Sequence, residues 1–270
     1  MTNRLENIFI ATFSSEAEET ALEYGFGLEL NDLCISSNLE PKKRDWVISR
    51  MEGEIKRAGS SNRKNIMHGP FTELTPAAID QRAIDLMKDR YRSTIDICTQ
   101  MGIKDIVLHD GYIPLIYQKP WHLKRSILFW KEFAEEIPEG FSIYIENVFD
   151  DEPDLLCNIV DEVNASLQLP KGKENYSICL DVGHANAMTK GGTDSIVEWI
   201  KTMGMRIGHF HLHNNDGTGD NHDDVNRGTF DIERVLEAIE EYCRSNVTMT
   251  IESRKAATSA DYLYKYYKNR

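Results

Sequence analysis

Ser177-Ile178-Cys179-Leu180-Asp181-Val182-Gly183-His184 reads as a short strand that ends on an acid and turns at once. Strand side chains alternate, so Asp181 shares a face with Ser177 and Cys179, while Ile178 and Leu180 share the other. One face is small and polar and the other large and aliphatic. That split suits a strand with one side in a crowded barrel lumen and the other against outer helices. The pattern recurs in Ser142-Ile143-Tyr144-Ile145-Glu146 and in Thr248-Met249-Thr250-Ile251-Glu252, where each terminal acid again sits with the smaller or more polar set. All three carboxylates are expected to point inward at the C-terminal mouth.

Working outward, further short apolar runs mark strands at 8–11, 27–30, 65–68, 105–109 and 207–213, with 142–146, 177–181 and 247–252 completing the set. Helical periodicity fills the gaps. Ile79, Ala83, Leu86, Met87, Tyr91, Ile95, Cys98 and Met101 step by three or four and stop at Gly102, with Thr75 as the expected N-cap and Pro76 at the first helical position. Pro41, Pro120 and Pro153 open other helices, and Pro70, Pro114, Pro138 and Pro170 fall in loops. Eight strands alternating with eight helices predict an α/β fold with a parallel sheet, closed as a (β/α)8 TIM barrel. No linker divides the chain, so residues 1–270 are expected to form one domain. The longest connections are 31–40, 167–176 and 214–229, the first and last expected over the active face.

The composition agrees. The 270 residues are 41% hydrophobic, enough for one sizeable core. With 31 Lys plus Arg against 44 Asp plus Glu, the net charge is −13, which supplies no general attraction for a nucleic-acid backbone. Cys34, Cys98, Cys157, Cys179 and Cys243 are odd in number and lack a CxxC pair, pointing to free thiols and a reducing, cytoplasmic setting. The N-terminus turns acidic after a short apolar run, unlike a signal peptide, and no apolar stretch approaches the roughly 20 residues of a membrane span.

Six strands end in a residue able to bind a metal: His68, His109, Glu146, Asp181, His211 and Glu252. One such residue is ordinarily a cap or a solvated side chain. Six on one rim would bury charge that needs compensation, and a divalent cation supplies it. His184 follows Asp181 across Gly183, a turn expected to fold it back over the mouth. Asp220 and His222 stand two apart in a loop, expected to be extended so that both reach one ion. His209, His211 and His213 share parity, so periodicity does not choose among them. His122 is expected at the surface, Lys42-Lys43-Arg44 on a solvated face, and Gly191-Gly192 in a helix-opening loop. Phe71, Tyr112, Trp121 and Phe149 are candidates to shape a pocket. GxGxxG after the first strand, GxxxxGK[ST], GxSxG and HExxH are all absent.

Met67-His-Gly-Pro-Phe71, Val107-Leu-His-Asp-Gly-Tyr112, Ile145-Glu-Asn147, Cys179-Leu-Asp-Val-Gly-His-Ala185, His209-Phe-His-Leu212, Asp220-Asn-His222, Arg227-Gly-Thr-Phe-Asp231 and Ile251-Glu-Ser253, in that order, resemble the xylose isomerase-like TIM barrel superfamily. It holds sugar-phosphate isomerases and epimerases, ketose 3-epimerases and endonuclease IV. The resemblance implies that Glu146, Asp181, His211 and Glu252 form the central metal set and that His68, His109, His184, Asp220 and His222 are the additional ligands of multi-metal members. It favours His211 over its neighbours. One to three divalent ions are implied, zinc or manganese, with magnesium or cobalt as alternatives. Two divalent ions would neutralise Glu146, Asp181, Asp220 and Glu252, and three would leave that cluster at +2.

The implied activity is a metal-dependent isomerase or epimerase of a sugar or sugar phosphate. It would abstract a proton beside a carbonyl through a metal-stabilised enediolate, with Glu146 and Glu252 as base and acid and His184 orienting a hydroxyl. Thr12-Phe-Ser-Ser-Glu16 and Asp223-Asp-Val-Asn226 depart from the repair-enzyme pattern, whereas Glu29 and Gly69-Pro-Phe71 resemble the isomerases. A multi-zinc hydrolase acting on abasic DNA is the alternative reading, and a non-catalytic metal- or sugar-binding barrel a third. Nucleic acid is a disfavoured partner, no membrane is expected, and the oligomeric state is unreadable.

Overall fold

In a computed structural model, residues 4–167 and 175–270 are described. Pro170 and most of the 167–176 connection lie outside them. The strands are β1 (Ile8–Ala11), β2 (Gly27–Leu30), β3 (Ile66–His68), β4 (Asp105–His109), β5 (Ser142–Glu146), β6 (Tyr176–Asp181), β7 (Ile207–Leu212) and β8 (Thr248–Ile251). Each pairs in parallel with the next and β8 closes on β1, giving the expected (β/α)8 barrel. The register places His109 opposite Glu146 and Asp181 opposite His211, so neighbouring strands deliver their polar ends to the same level.

The alternation expected of the strands is present. Ile143, Ile145, Ile178, Leu180, Met249 and Ile251 join the large core between strands and helices. Phe9, Ile66, Val107, Tyr144 and Cys179 form a separate buried cluster inside the lumen.

The helices among the described residues are α1 (Ala17–Tyr24), α2 (Pro41–Arg57), α3 (Gln81–Met101), α4 (Lys119–Ala134), α5 (Asp154–Ser166), α6 (Val182–Thr189), α7 (Gly192–Met203), α8 (Ile232–Tyr242) and α9 (Ala256–Lys268). That is one α-helix more than expected, because β6 and β7 are joined by two. Asp181 caps α6 by accepting the His184 N–H at 2.7 Å, and the helix stops where Lys190 adopts a left-handed φ of 54°. Gly191 and Gly192 then open α7, as expected.

Helix α3 starts later than the periodicity suggested. Asp80, not Thr75, is its N-cap, accepting the Arg82 N–H at 3.0 Å, while Thr75 Oγ1 accepts the Ala77 N–H in the preceding turn. Ile79 therefore lies outside the helix and is exposed, as is Leu86. His122 is a second correction. It is fully buried on α4, with Nε2 3.4 Å from Asp110 Oδ2 and its ring edge-on to Tyr112. Its position in the first turn of a lysine-containing helix hid this, because the turn packs under the loop that carries Asp110. No helix among the described residues is long and apolar enough to cross a membrane.

Candidate metal centre

The strand ends converge. Glu146, at the tip of β5, is the hub: Oε2 lies 3.2 Å from His68 Nε2 and 3.3 Å from His109 Nε2, and Oε1 lies 3.2 Å from His211 Nδ1 and 3.4 Å from His184 Nδ1. Glu252, immediately after β8, comes within 3.5 Å of His211 Nδ1. Asp181 places Oδ2 3.7 Å from the same nitrogen and Oδ1 3.1 Å from His213 Nε2. Asp220 reaches in from the 214–229 loop, 3.4 Å from His184 Nε2 and 3.1 Å from His222 Nε2. All nine residues singled out in the sequence are thus at one mouth.

Four of the five histidines among them are held by a contact on their other side. His68 Nδ1 meets the Gly69 carbonyl at 3.0 Å, His184 Nδ1 the Asn147 carbonyl at 2.9 Å, and His222 Nδ1 the Glu252 carbonyl at 2.7 Å. Each N–H that donates there leaves Nε2 facing the cluster, the arrangement that fixes a ligand imidazole. His211 is turned the other way. Its Nε2 meets Glu29 Oε1 at 3.1 Å, which leaves Nδ1 for the cluster. Glu29 also accepts from Thr250 Oγ1 and lies 3.1 Å from His209 Nε2. Asn147 exchanges hydrogen bonds with the Asp181 backbone, locking β5 to β6 at the tip.

Two local expectations change. Gly183 does not turn the chain; it sits in the first turn of α6, where a Cβ would come within 2.0 Å of the His213 ring. Its role is to leave room for His213. The Asp220–His222 segment is not extended, because His222 has a left-handed φ of 53°. That bend turns its ring against His213, with centroids 4.2 Å apart.

The sequence pattern singles out neither His213 nor, beyond a resemblance, Glu29. His213 is fully buried, touches Asp181, and lies 3.5 Å from Asp220 Oδ1. Its shared parity with His211 was the available signal. For Glu29 the signal was an acid inside an otherwise apolar strand, on the lumen side.

The electrostatics follow from burial and mutual contact. Burial pushes the Glu146 carboxyl up, but His211 and His109 beside it outweigh that and hold it well below the usual carboxylate range. Glu252 goes the other way, raised by burial and by the nearby Glu29 and Glu146, against the opposing pull of His211. Burial would lower His222, but Asp220 and Glu252 lift it to about 9.

The donor set fits a divalent cation. Glu146 Oε2 and His211 Nδ1 are buried without a hydrogen-bond partner, and both face the cluster. Ligand atoms of His68, His109 and Glu146 lie within 4.8 Å of one another, as do those of Asp181, His184 and His213, and those of His213, Asp220 and His222. Imidazole and carboxylate donors in this mixture suit zinc, and manganese next.

Above the cluster lies a cavity of about 420 Å³, bounded by Phe13, Asn31, Cys34, Ile35, Phe71 and Val148 besides the polar residues. The 31–40 and 214–229 connections both contribute to it, as expected. Phe71 packs face to face on His109, with centroids 4.2 Å apart. Tyr112 and Phe149 line an adjoining cavity, whereas Trp121 lines neither and donates its indole N–H to the Ala77 carbonyl.

The family model described as xylose isomerase-like TIM barrel matches residues 38–268. The chain belongs to that family. It is 30% identical over 217 residues to an uncharacterized protein, MJ1311, of Methanocaldococcus jannaschii, covering 74% of this chain and 69% of that one. Among solved structures, a D-tagatose 3-epimerase-like protein superposes with a TM-score of 0.72 at 24% identity, covering 97% of each chain. A Thermus thermophilus protein soaked with ZnCl2 superposes with a TM-score of 0.71 at 18% identity, covering 97% of this chain and 98% of that one.

Proposed function

We propose that this protein is a metal-dependent isomerase or epimerase of a small sugar, moving a proton on a carbon beside a carbonyl. The observation that carries the reading is the pair Glu146 and Glu252. Both are buried at one mouth, both within 3.5 Å of His211 Nδ1, and their environments push their proton affinities in opposite directions. Family membership, and the structural likeness to an epimerase-like protein and to a zinc-soaked one, support it.

Glu146, Asp181, His211 and Glu252 would hold the central ion, with His68, His109, His184, Asp220 and His222 able to hold more. When bound, the ion would act as a Lewis acid on the substrate carbonyl and offset the negative charge of an enediolate. Glu146, kept ionised by its imidazole neighbours, takes the proton from carbon. Glu252, whose carboxyl keeps its proton more readily, returns one from another side. His184, fixed by the Asn147 carbonyl, presents Nε2 to a substrate hydroxyl. Glu29 keeps His211 oriented, and Phe13 and Phe71 wall the pocket.

Exchange of a carbon-bound proton with deuterated solvent tests this. Exchange is expected for at least one member of a ketose and ketose-phosphate panel, and none across the panel overturns the reading. Glu252→Gln is expected to cut turnover by about 10²–10⁴-fold with the circular dichroism unchanged. Undiminished turnover removes Glu252 as acid or base.

One observation favours a second reading. The ligand atoms fall into more than one candidate group, as a multi-metal phosphodiester hydrolase would need. Incision of an abasic-site duplex, abolished by chelator and by His68→Ala, would establish that chemistry. Among the described residues no Lys or Arg lines the cavity, which weighs against it.

A further inference from the structure

The metal pocket has an annex. A second cavity, of about 280 Å³, lies between the loops after β3 and β4, against the start of the loop after β5. It shares Phe71, His109 and Val148 with the metal pocket, so the two have a common wall. Leu74, Tyr112, Ile113 and Phe149 form much of the rest, and among the described residues Glu73 is its only acidic lining residue.

The annex is built into the backbone. Gly111 has φ +69°, and a Cβ there would lie 2.8 Å from the Leu74 carbonyl oxygen and 2.9 Å from Thr75 Cα. Only glycine lets the β3 and β4 loops approach this closely, and that contact closes one side of the cup. The rim is apolar and open to solvent: Phe71 is 36% exposed, Ile113 40% and Phe149 46%. Single exposed apolar residues are ordinary, but several grouped round one cavity mark a binding surface.

Two features narrow the occupant. The metal pocket, at about 420 Å³, is already within the ~300–1,000 Å³ of small-molecule sites, so a free sugar leaves the annex unused. Among the described residues neither cavity is lined by Lys or Arg, nor by the helix-opening Gly191 and Gly192, so apart from a bound metal a phosphate would meet none of the side chains or helix ends that ordinarily hold it.

We infer that the substrate is an uncharged sugar bearing an apolar substituent, a glycoside in chemical class whose ring carries the ketone that the reaction needs, with the sugar in the metal pocket and the substituent in the cup formed by Phe71, Tyr112, Ile113 and Phe149. This rests on the isomerase reading for the sugar end, while the cup stands on its own geometry.

Calorimetric titration of the zinc-loaded protein with phenyl β-D-glucopyranoside, methyl β-D-glucopyranoside and glucose 6-phosphate tests the recognition. The phenyl glycoside is expected to bind at least about tenfold tighter than the methyl one, and the phosphate weakest. Ile113→Ser with Phe149→Ser, both at exposed positions, is expected to bring the phenyl-to-methyl ratio toward one. Equal affinities, no binding of any probe, tighter binding of the phosphate, or a preference that survives the double substitution overturns the proposal. So does a wild-type dimer that the double variant converts to monomer without any phenyl preference, because the cup then belongs to a second copy. Solvent-deuterium exchange on the phenyl and methyl 3-keto-glucosides separates the two ideas. A phenyl preference in binding with no exchange supports the cup and counts against the isomerase reading. Exchange with equal kcat/KM on both probes supports the isomerase reading and overturns the cup.

Discussion

At the level of Phe9, Ile66, Val107, Tyr144 and Cys179 the barrel lumen is buried packing. Two residues further along the same five strands stand Ala11, His68, His109, Glu146 and Asp181, and four of these five belong to the candidate metal centre. The side chains point inward at both levels. What changes is how buried polarity is satisfied. The lower layer satisfies its polar groups within the protein, as where Tyr144 donates to Asp105 at 2.6 Å and where Glu29 accepts from Thr250 Oγ1 and lies 3.1 Å from His209 Nε2. The upper layer leaves Glu146 Oε2 and His211 Nδ1 without hydrogen-bond partners. A close-packed floor is stable by itself, whereas a mouth of mutually facing acids and imidazoles is completed by a cation.

Loading with zinc should therefore act on the mouth more than any substitution below it. With zinc a thousandfold above its Kd, thermal unfolding is expected to show about 4 kcal/mol of stabilisation, lost on adding chelator. An unchanged Tm would mean that the mouth does not bind the ion.

The next effect probes the boundary between the layers. Glu29 orients His211, and its carboxylate also lies within 4.8 Å of ligand atoms of His68 and His211, so Glu29→Gln should weaken zinc binding by about 10–100-fold while the fold persists. Equal affinity in a competition titration would show that His211 needs no such partner.

Acids buried away from the lumen sharpen the contrast, because a proton can do there what a cation does at the mouth. Arg50 Nε lies 3.2 Å from both Asp32 Oδ1 and Glu54 Oε1. Burial, with Asp32 nearby, pushes the Glu54 carboxyl up to about 7. The folded state thus holds this proton more tightly than the unfolded chain. The group's contribution to stability is greatest below its ordinary value of 4.5 and is lost as pH rises through about 7. Glu54→Gln should match the wild type at acidic pH and exceed it by about 2 kcal/mol at pH 8 in denaturant titrations. A constant difference across that range would contradict this.

The smallest effect is expected on the floor. Ile66→Val should cost about 0.5–1.5 kcal/mol and leave zinc affinity and turnover unaltered. A loss of zinc affinity would show that the two layers are not separable.

Residue types and spacing were enough to place the strands, their inward and outward faces, and the acids and histidines at their C-terminal ends. Each of these depends on local chain geometry: a period of two, an apolar run, a polar residue at its end. The start of α3 escaped because Thr75-Pro76 and Asp80 both carry helix-opening chemistry, and packing selected the later one. His122 escaped because burial belongs to the loop folded over it and not to its own helix turn.

Closure of the barrel decided the rest. Register across strands set His109 beside Glu146 and Asp181 beside His211, and residues far apart in the chain, such as Glu29 and His211, became partners only through it. The choice among His209, His211 and His213 was undecidable from alternation, since all three point the same way. Depth in the lumen separates them: His209 meets Glu29 and Thr248, His211 meets Glu29 and Glu146, and His213 meets Asp181 beneath a glycine with no Cβ to exclude it. A one-dimensional pattern carries direction, and depth exists only once eight strands enclose a volume.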